Sequence, residues 1–271
     1  MPVITMLNQK GGVGKTSTCY HLAGTLAQQG RRVLLVDNDP QASLTQGFWG
    51  PEGMLALDPS ETIAAIYAGE NPFPEQVVRS TPFAGIDVLP GSERATRYNV
   101  PEPERLDPLD QAGLRDWLAE LRNRYDLVLI DCPPNLHLCS WAALVASDYI
   151  IVPIQPEDFG AQGLGPVQAS IVRVAAGPNR GLALLGYLIT MYNARRSVHQ
   201  VFDDGLREQY GTEVFETRVP DLNDYAEAVT RRQPVGYFKP RGAAAKAMRP
   251  LADEILARIA AQNGDLKRGA A

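Results

Sequence analysis

The segment Gln9-Lys10-Gly11-Gly12-Val13-Gly14-Lys15-Thr16-Ser17 packs three glycines, two lysines and two hydroxyls into nine residues. That mixture suits phosphate. Glycines let successive backbone N–H groups turn inward around phosphate oxygens, and a helix starting at Lys15 points its positive end at them. Lys15 is expected to neutralise β and γ phosphates, and the Thr16 hydroxyl to ligate Mg²⁺. The spacing departs from G-x-x-x-x-G-K-[ST] because Gln9 stands where the first glycine belongs. Acids arrive from two other places. Leu34-Leu35-Val36-Asp37-Asn38-Asp39-Pro40-Gln41 ends in two carboxylates two residues apart, and Leu127-Val128-Leu129-Ile130-Asp131 ends in one. Carboxylates at the C-terminal ends of adjacent parallel strands overlie the crevice where phosphates and Mg²⁺ sit. The plainer alternative for Asp37 and Asp131 is an acid capping the next turn.

The elements that must position these groups follow from hydrophobic pattern. Val3–Leu7, Val33–Val36, Leu127–Ile130, Tyr149–Ile154 and Leu182–Ile189 are continuously apolar and β-branched, the mark of parallel strands buried on both faces. Between them lie helical stripes. Cys19, Leu22, Ala23, Leu26 and Ala27 recur at helical spacing after Lys15, and Gly30 supplies a stop. Further stripes run through Leu114–Leu121, Val198–Leu206 and Met248–Ile259. Strand and helix alternate from end to end, so the expected fold is α/β, a doubly wound, mainly parallel sheet with helices on both faces, here a P-loop NTPase fold. The whole of 1–271 reads as one domain. Residues 50–110 carry 9 of the 21 prolines and read as an irregular region on the sheet's rim. A C-terminal helix is expected at about 246–262.

Composition narrows the class. The chain has 271 residues, 45% hydrophobic and 21% charged, enough for a sizeable core and incompatible with disorder. Cys19, Cys132 and Cys139 form no metal-ligand spacing, and their odd number without a leader fits a reducing cytosol. His21, His137 and His199 are isolated, so packing or surface roles are expected. No apolar run approaches the roughly 18 to 20 residues of a spanning helix, and the chain reads as soluble and cytoplasmic. The net charge of −5 hides an asymmetry: residues 1–179 carry 12 basic and 20 acidic side chains, residues 180–271 carry 14 and 11. Arg231, Arg232, Lys239, Arg241, Lys246 and Arg249 fall in a stretch, 228–249, without an acid. It is either a solvated face or a phosphate-backbone contact surface.

The pairing of Lys10 with Lys15, the Asp37-x-Asp39-Pro40-Gln41 strand end and Ile130-Asp131-Cys132-Pro133-Pro134 resemble the ParA (Soj) group of deviant Walker A ATPases, a family that includes MinD. Further echoes are Val152–Glu157, Gly163-Leu164, Ile189–Tyr192, Val219-Pro220 and Pro234-Val235. The resemblance implies an ATP-dependent homodimer in which Lys10 acts in trans on the other subunit's nucleotide. It further implies that Asp39 orients the attacking water, that Asp37 and Asp131 hold Mg²⁺ through its waters, and that the segments at Met191 and Pro220 contact adenine. ATP and Mg²⁺ are the implied cofactors, with Gly11, Gly12, Val13, Gly14 and Ser17 completing the phosphate cradle.

The same resemblance implies a partition ATPase associated with the nucleoid. It would bind non-specific DNA as the ATP dimer and be stimulated by a ParB-like centromere-binding adaptor. Arg195 matches the family arginine, with Arg196 beside it. Where the family often has Pro-Arg-Asn, this chain has Pro220-Asp221-Leu222, an acid that would repel phosphate. Either the DNA contacts have moved to Arg231, Arg232 and the residues that follow, or they are weaker. Three rivals remain. A MinD-type membrane cycle needs a basic, bulky amphipathic tail, and residues 260–271 hold one Leu and a helix-breaking Gly. A reductase of the nitrogenase iron-protein type needs paired cluster cysteines, which Cys132 and Cys139 match poorly. A same-fold ATPase that positions a cargo other than DNA stays open. With the first strand starting at residue 3, operator binding through an N-terminal helix-turn-helix is not expected.

Overall fold

The computed structural model describes residues 1–156 and 164–269, with side chains described as far as 264. Glu157 and Gly163 lie outside the described residues. Seven strands form one sheet: β1 (Val3–Met6), β2 (Val33–Asp37), β3 (Arg79–Ser80), β4 (Ile86–Leu89), β5 (Leu127–Asp131), β6 (Tyr149–Ile154) and β7 (Ala183–Ile189), in the order β3-β4-β2-β5-β1-β6-β7. All pairings are parallel except β3 with β4. The helices are α1 (Lys15–Gln28), α2 (Ser43–Leu55, kinked at Gly50), α3 (Ile63–Tyr67), α4 (Pro74–Val77), α5 (Pro108–Ala119), α6 (Leu138–Ala146), α7 (Gly165–Ala176), α8 (Ser197–Tyr210), α9 (Asn223–Thr230), α10 (Val235–Phe238) and α11 (Ala243–Gly269).

Alternation along each strand divides the core in two. Leu34, Val36, Val128 and Ile130 face one side and pack with α3, α5, α6 and α7 through Ile63, Trp117, Trp141 and Val167. Val33, Leu35, Leu127 and Leu129 face the other and pack with α1, α2, α9 and α11 through Leu22, Phe48, Tyr225 and Leu251. Both faces are covered, which is why these strands read as unbroken apolar runs. Among the described residues, no helix is long and apolar enough to cross a membrane.

Two differences from the sequence expectation have physical causes. The 50–110 region is not wholly irregular, because it contributes β3 and β4 to the sheet edge beside β2. Strands of two and four residues, set off by Pro82 and Gly85, leave too short a pattern to register as strands. The last helix starts three residues before 246, and its backbone continues through Gly269. Gly264 is not enough to end a helix whose apolar stripe already docks on α1.

The chain leaves β1 towards β2 on one side and leaves β5 towards β6 on the other, although β1 and β5 are neighbours. The C-terminal ends of β1 and β5 therefore flank a topological switch point, where a crevice opens between diverging connections.

Candidate phosphate and metal site

The loop from Asn8 to Gly14 leaves β1 at this crevice. Gly12 and Gly14 adopt positive φ values of 78° and 80°, the second as the N-cap of α1. Only glycine takes such angles without strain, and they turn the loop back over its own helix. Neighbouring strands clamp the loop. Asn8 Nδ2 donates to Pro153 O at 2.7 Å, and the Thr190 hydroxyl donates to Val13 O at 2.9 Å. Lys10 N–H donates to Asn8 Oδ1 at 3.0 Å. Lys15 is buried, and its Nζ donates to the carbonyls of Asn8 and Lys10, both at 3.0 Å. Burial lowers its pKa, and the nearby Asp131 pulls the other way. Gly11 and Gly12 are exposed, so their backbone faces open solvent.

Asp37 and Asp131 are register partners on β2 and β5, and both are fully buried. Asp37 Oδ2 accepts from Thr45 N–H at 2.7 Å and from the Thr45 hydroxyl at 2.6 Å. Asp37 Oδ1 and both Asp131 carboxylate oxygens have no hydrogen-bond partner. Burial pushes Asp37 up to about 7, against the Thr45 hydrogen bonds that favour its charged form. Burial, and then the Asp37 charge, holds Asp131 well above the usual carboxylate range, while the nearby Thr16 hydroxyl pulls the other way. Buried oxygens left without partners cost free energy unless something completes them. Three such oxygens, hard donors beside a threonine hydroxyl, fit a hydrated Mg²⁺, which takes few protein ligands and keeps several waters. Among the described residues no group of three or more His, Cys, Asp or Glu is gathered, so a softer metal with an all-protein shell has no such cluster there.

Asp39 sits one turn further out, half-buried, with Oδ1 accepting from Gln41 N–H at 2.9 Å. Burial raises its pKa, and Lys15 partly offsets that. Asn38 locks the turn between the two acids. Its N–H donates to Asp131 O at 2.9 Å, its amide nitrogen to Cys139 O at 2.7 Å, and its amide oxygen accepts from the Tyr67 hydroxyl at 2.6 Å. Cys132 and Cys139 are buried packing residues around that amide, as are His21 and His199 elsewhere in the core.

Met191 follows β7 with φ 52°, and its methyl approaches Gly14. Tyr192 bridges to Pro220, bringing both candidate adenine segments to the same strand end as the loop. The basic candidates are apart from this cluster in the chain. Arg195 and Arg196 are exposed in the turn before α8, and Arg231 and Arg232 are exposed at the end of α9. Arg232 takes φ 56°, and its guanidinium lies against Gly50 in the α2 kink. The run that lacks acids in sequence does not lack them in space. Lys239 Nζ binds Asp224 at 2.7 Å and Glu227 at 2.8 Å, and Arg249 donates to Pro240 O.

A family model described as an AAA domain matches residues 1–184. The chromosome-partitioning ATPase Soj of Thermus thermophilus is 37% identical over 258 residues, covering 94% of this chain and 96% of its own length. The chromosome partitioning protein ParA of Caulobacter vibrioides is 33% identical over 263 residues, covering 94% of each. The chain belongs to the ParA/Soj family of P-loop ATPases. Among solved structures, cobyrinic acid a,c-diamide synthase from Mycobacterium smegmatis, with bound ATP analogue and magnesium, matches at TM-score 0.78 and 30% identity over 94% of both chains. This ParA/Soj chain therefore shares its fold with a protein crystallised with nucleotide and metal together.

Sequence reasoning reached Lys15, Asp37, Asp39 and Asp131 through motif spacing. It missed Asn8, Asn38, Thr45, Gly91 and Thr190. Asn38 carried a usable signal, an amide between two acids at a strand end. Thr45 and Gly91 carried none, because they meet Asp37 only through the fold.

Proposed function

We propose that this chain is an ATP-driven DNA-partition ATPase. It dimerises on MgATP, binds DNA without sequence preference on the nucleoid, and hydrolyses ATP when a ParB-like centromere-binding adaptor engages it. One observation carries the reading: partition ATPases align with 94% of the chain, through the C-terminal half as well as the loop. Backbone N–H groups of Gly11 to Ser17 cradle the phosphates, and Lys15 exchanges its two loop carbonyls for phosphate oxygens. Thr16, Asp37 and Asp131 hold Mg²⁺, which when bound neutralises phosphate charge. Asp39 orients the attacking water, and Met191 and Pro220 contact the adenine. Lys10, exposed at the loop's outer edge, reaches the nucleotide of the other subunit and stabilises charge there much as an arginine finger does. Arg195, Arg196, Arg231 and Arg232 supply phosphate-backbone contacts.

Light scattering with ATP tests the cycle. Lys10→Ala should bind ATP and stay monomeric, whereas Asp39→Ala should accumulate as the ATP dimer with turnover down by roughly two orders of magnitude. A Lys10→Ala protein that dimerises normally rejects the trans role. Random duplex added at low salt should be retained only with ATP. Wild-type protein that retains none is instead a cargo-positioning ATPase of the same fold, a reading favoured by the exposed Asp221 and the neutralised Lys239.

A further inference from the structure

Thr45 stands in the first turn of α2, fully buried, eight residues beyond the acid it touches. Its backbone N–H and its hydroxyl both donate to Asp37 Oδ2, at 2.7 and 2.6 Å. The same hydroxyl oxygen accepts from Gly91 N–H at 2.8 Å. A threonine hydroxyl has one proton to give, so it is committed to Asp37 on one side and to the loop after β4 on the other. Two donors on one oxygen also prevent the carboxylate from rotating, because rotation breaks both bonds. The free oxygen, Oδ1, is left buried and without a partner.

Gly91 closes the arrangement from the opposite side. A Cβ there would lie 2.7 Å from Asp37 Cγ and 2.9 and 3.0 Å from its oxygens, closer than packed atoms come. Glycine is required for space, since any side chain would displace the carboxylate.

We propose that Thr45 is a positioning residue, which together with Gly91 fixes the Asp37 carboxylate so that Oδ1 is presented to the hydrated Mg²⁺ of the bound nucleotide. The proposal rests on the MgATP reading above. Thr45 acts only through Asp37, as partners behind a metal-binding carboxylate do in other metal sites. A valine at this position keeps the shape and the amide but removes the hydroxyl. Gly91 N–H then loses its acceptor, and Asp37 Oδ2 keeps one bond of two. A serine keeps both.

The test measures Mn²⁺ uptake in the presence of ADP by the loss of the free-ion paramagnetic signal, alongside metal-free ADP affinity by calorimetry. Thr45→Val should weaken Mn²⁺ uptake roughly tenfold to a hundredfold and leave metal-free ADP affinity unchanged. Thr45→Ser should bind Mn²⁺ as the wild type does, and Gly91→Ala should lose Mn²⁺ with Thr45 in place. A purely structural role would lower the melting temperature while the folded protein kept its Mn²⁺ affinity. Thr45→Val with wild-type Mn²⁺ affinity, or Thr45→Ser as weak as Thr45→Val, overturns the proposal alone. Should Thr45→Val fail to fold, Gly91→Ala decides, and wild-type Mn²⁺ affinity there overturns it. Wild-type protein that takes up no Mn²⁺ with ADP overturns the metal reading and this proposal with it.

Discussion

Helix α1 joins two regions that handle charge in opposite ways. At its N-terminus, Lys15, Asp37 and Asp131 are buried, and three carboxylate oxygens have no partner. Along its far half it packs on α10 and α11, next to a surface where charges are exposed and in part paired. Lys239, itself exposed, binds Asp224 and Glu227. Buried polar atoms left open mark where a ligand completes the structure. Surface charges that already have partners mark where a ligand must compete for them, and such exposed pairs are worth only about 0 to 1 kcal/mol each. The difference places strong chemistry at one end of α1 and weak, additive contacts at the other. Arg231, Arg241 and Lys246, which enter no ion pair among the described residues, are then the cations of the 228–249 run most available to a polyanion.

The largest effect that could break this contrast is at Lys15. Removing this buried ammonium, proposed above to bind phosphate, should weaken ATP binding at least about thirtyfold, the usual consequence of deleting one member of a buried charge pair. Calorimetry on Lys15→Ala reads it, and wild-type affinity there would dismiss the loop as the phosphate site.

Acid and base sensitivity sharpen the contrast next. His21, in the middle of α1, is fully buried, and its Nδ1 accepts from Val235 N–H at 3.0 Å. Burial lowers its pKa to about 3. As pH falls from 6.5 towards 3, the unfolded chain takes up a proton that the folded chain refuses. Stability is therefore lost on acidification, about 2 kcal/mol by pH 5. Asp37 has the reverse sign. With its folded pKa raised to about 7, the metal-free protein keeps a proton that the unfolded chain releases above about 3.8. Stability is lost as pH rises between those values. The two windows overlap with opposite slopes, so in melting curves of metal-free protein His21→Gln should lose stability more steeply than wild type as pH rises from 5 to 6.5, and Asp37→Asn less steeply as pH rises from 5 to 7. Mg²⁺ with nucleotide should raise the wild-type melting temperature more at pH 8 than at pH 6. Identical profiles for all three proteins would contradict both assignments.

The smallest effects belong to the basic face. Replacing Arg231 and Arg232 by Ala should flatten the salt dependence of ATP-dependent duplex binding by roughly two to four units per dimer. Arg231 should contribute the larger share, because the Arg232 guanidinium already lies against Gly50. Turnover without adaptor should hardly change. Filter binding at several salt concentrations decides it, and an unaltered slope with loss on Arg195→Ala would move the surface to the turn before α8.

What could be read in advance divides along the same line. Loop, helix and strand ends were legible because phosphate and Mg²⁺ chemistry demands particular residues at fixed short spacing, as at Gly14-Lys15-Thr16 and Asp37-x-Asp39. The central strands were legible because burial on both faces leaves unbroken apolar runs. β4 was hidden by its length and by Asp87 in its middle, which accepts from the Tyr125 hydroxyl instead of facing solvent alone. Thr45, 46 residues from Gly91 in sequence, became part of the site only through β2 and β4 lying side by side. The 228–249 run shows the opposite limit of sequence reading, since the acids that neutralise Lys239 come from the helix just before it, at Asp224 and Glu227.

The seam between α1 and the end of the chain also governs when the molecule can form. His21 meets Val235 across 214 residues, Gln28 meets Gly236 across 208, and Gly24 leaves no room for a Cβ beside Pro234. One face of the sheet thus stays open until residues 234–236 and the helix that follows them have been synthesised. Contacts this distant must be closed at the expense of loop entropy before they stabilise anything, so folding of this face is slow and its apolar stripe is exposed in the meantime. The helix that anchors the phosphate loop is made more than 200 residues before the segment that covers it.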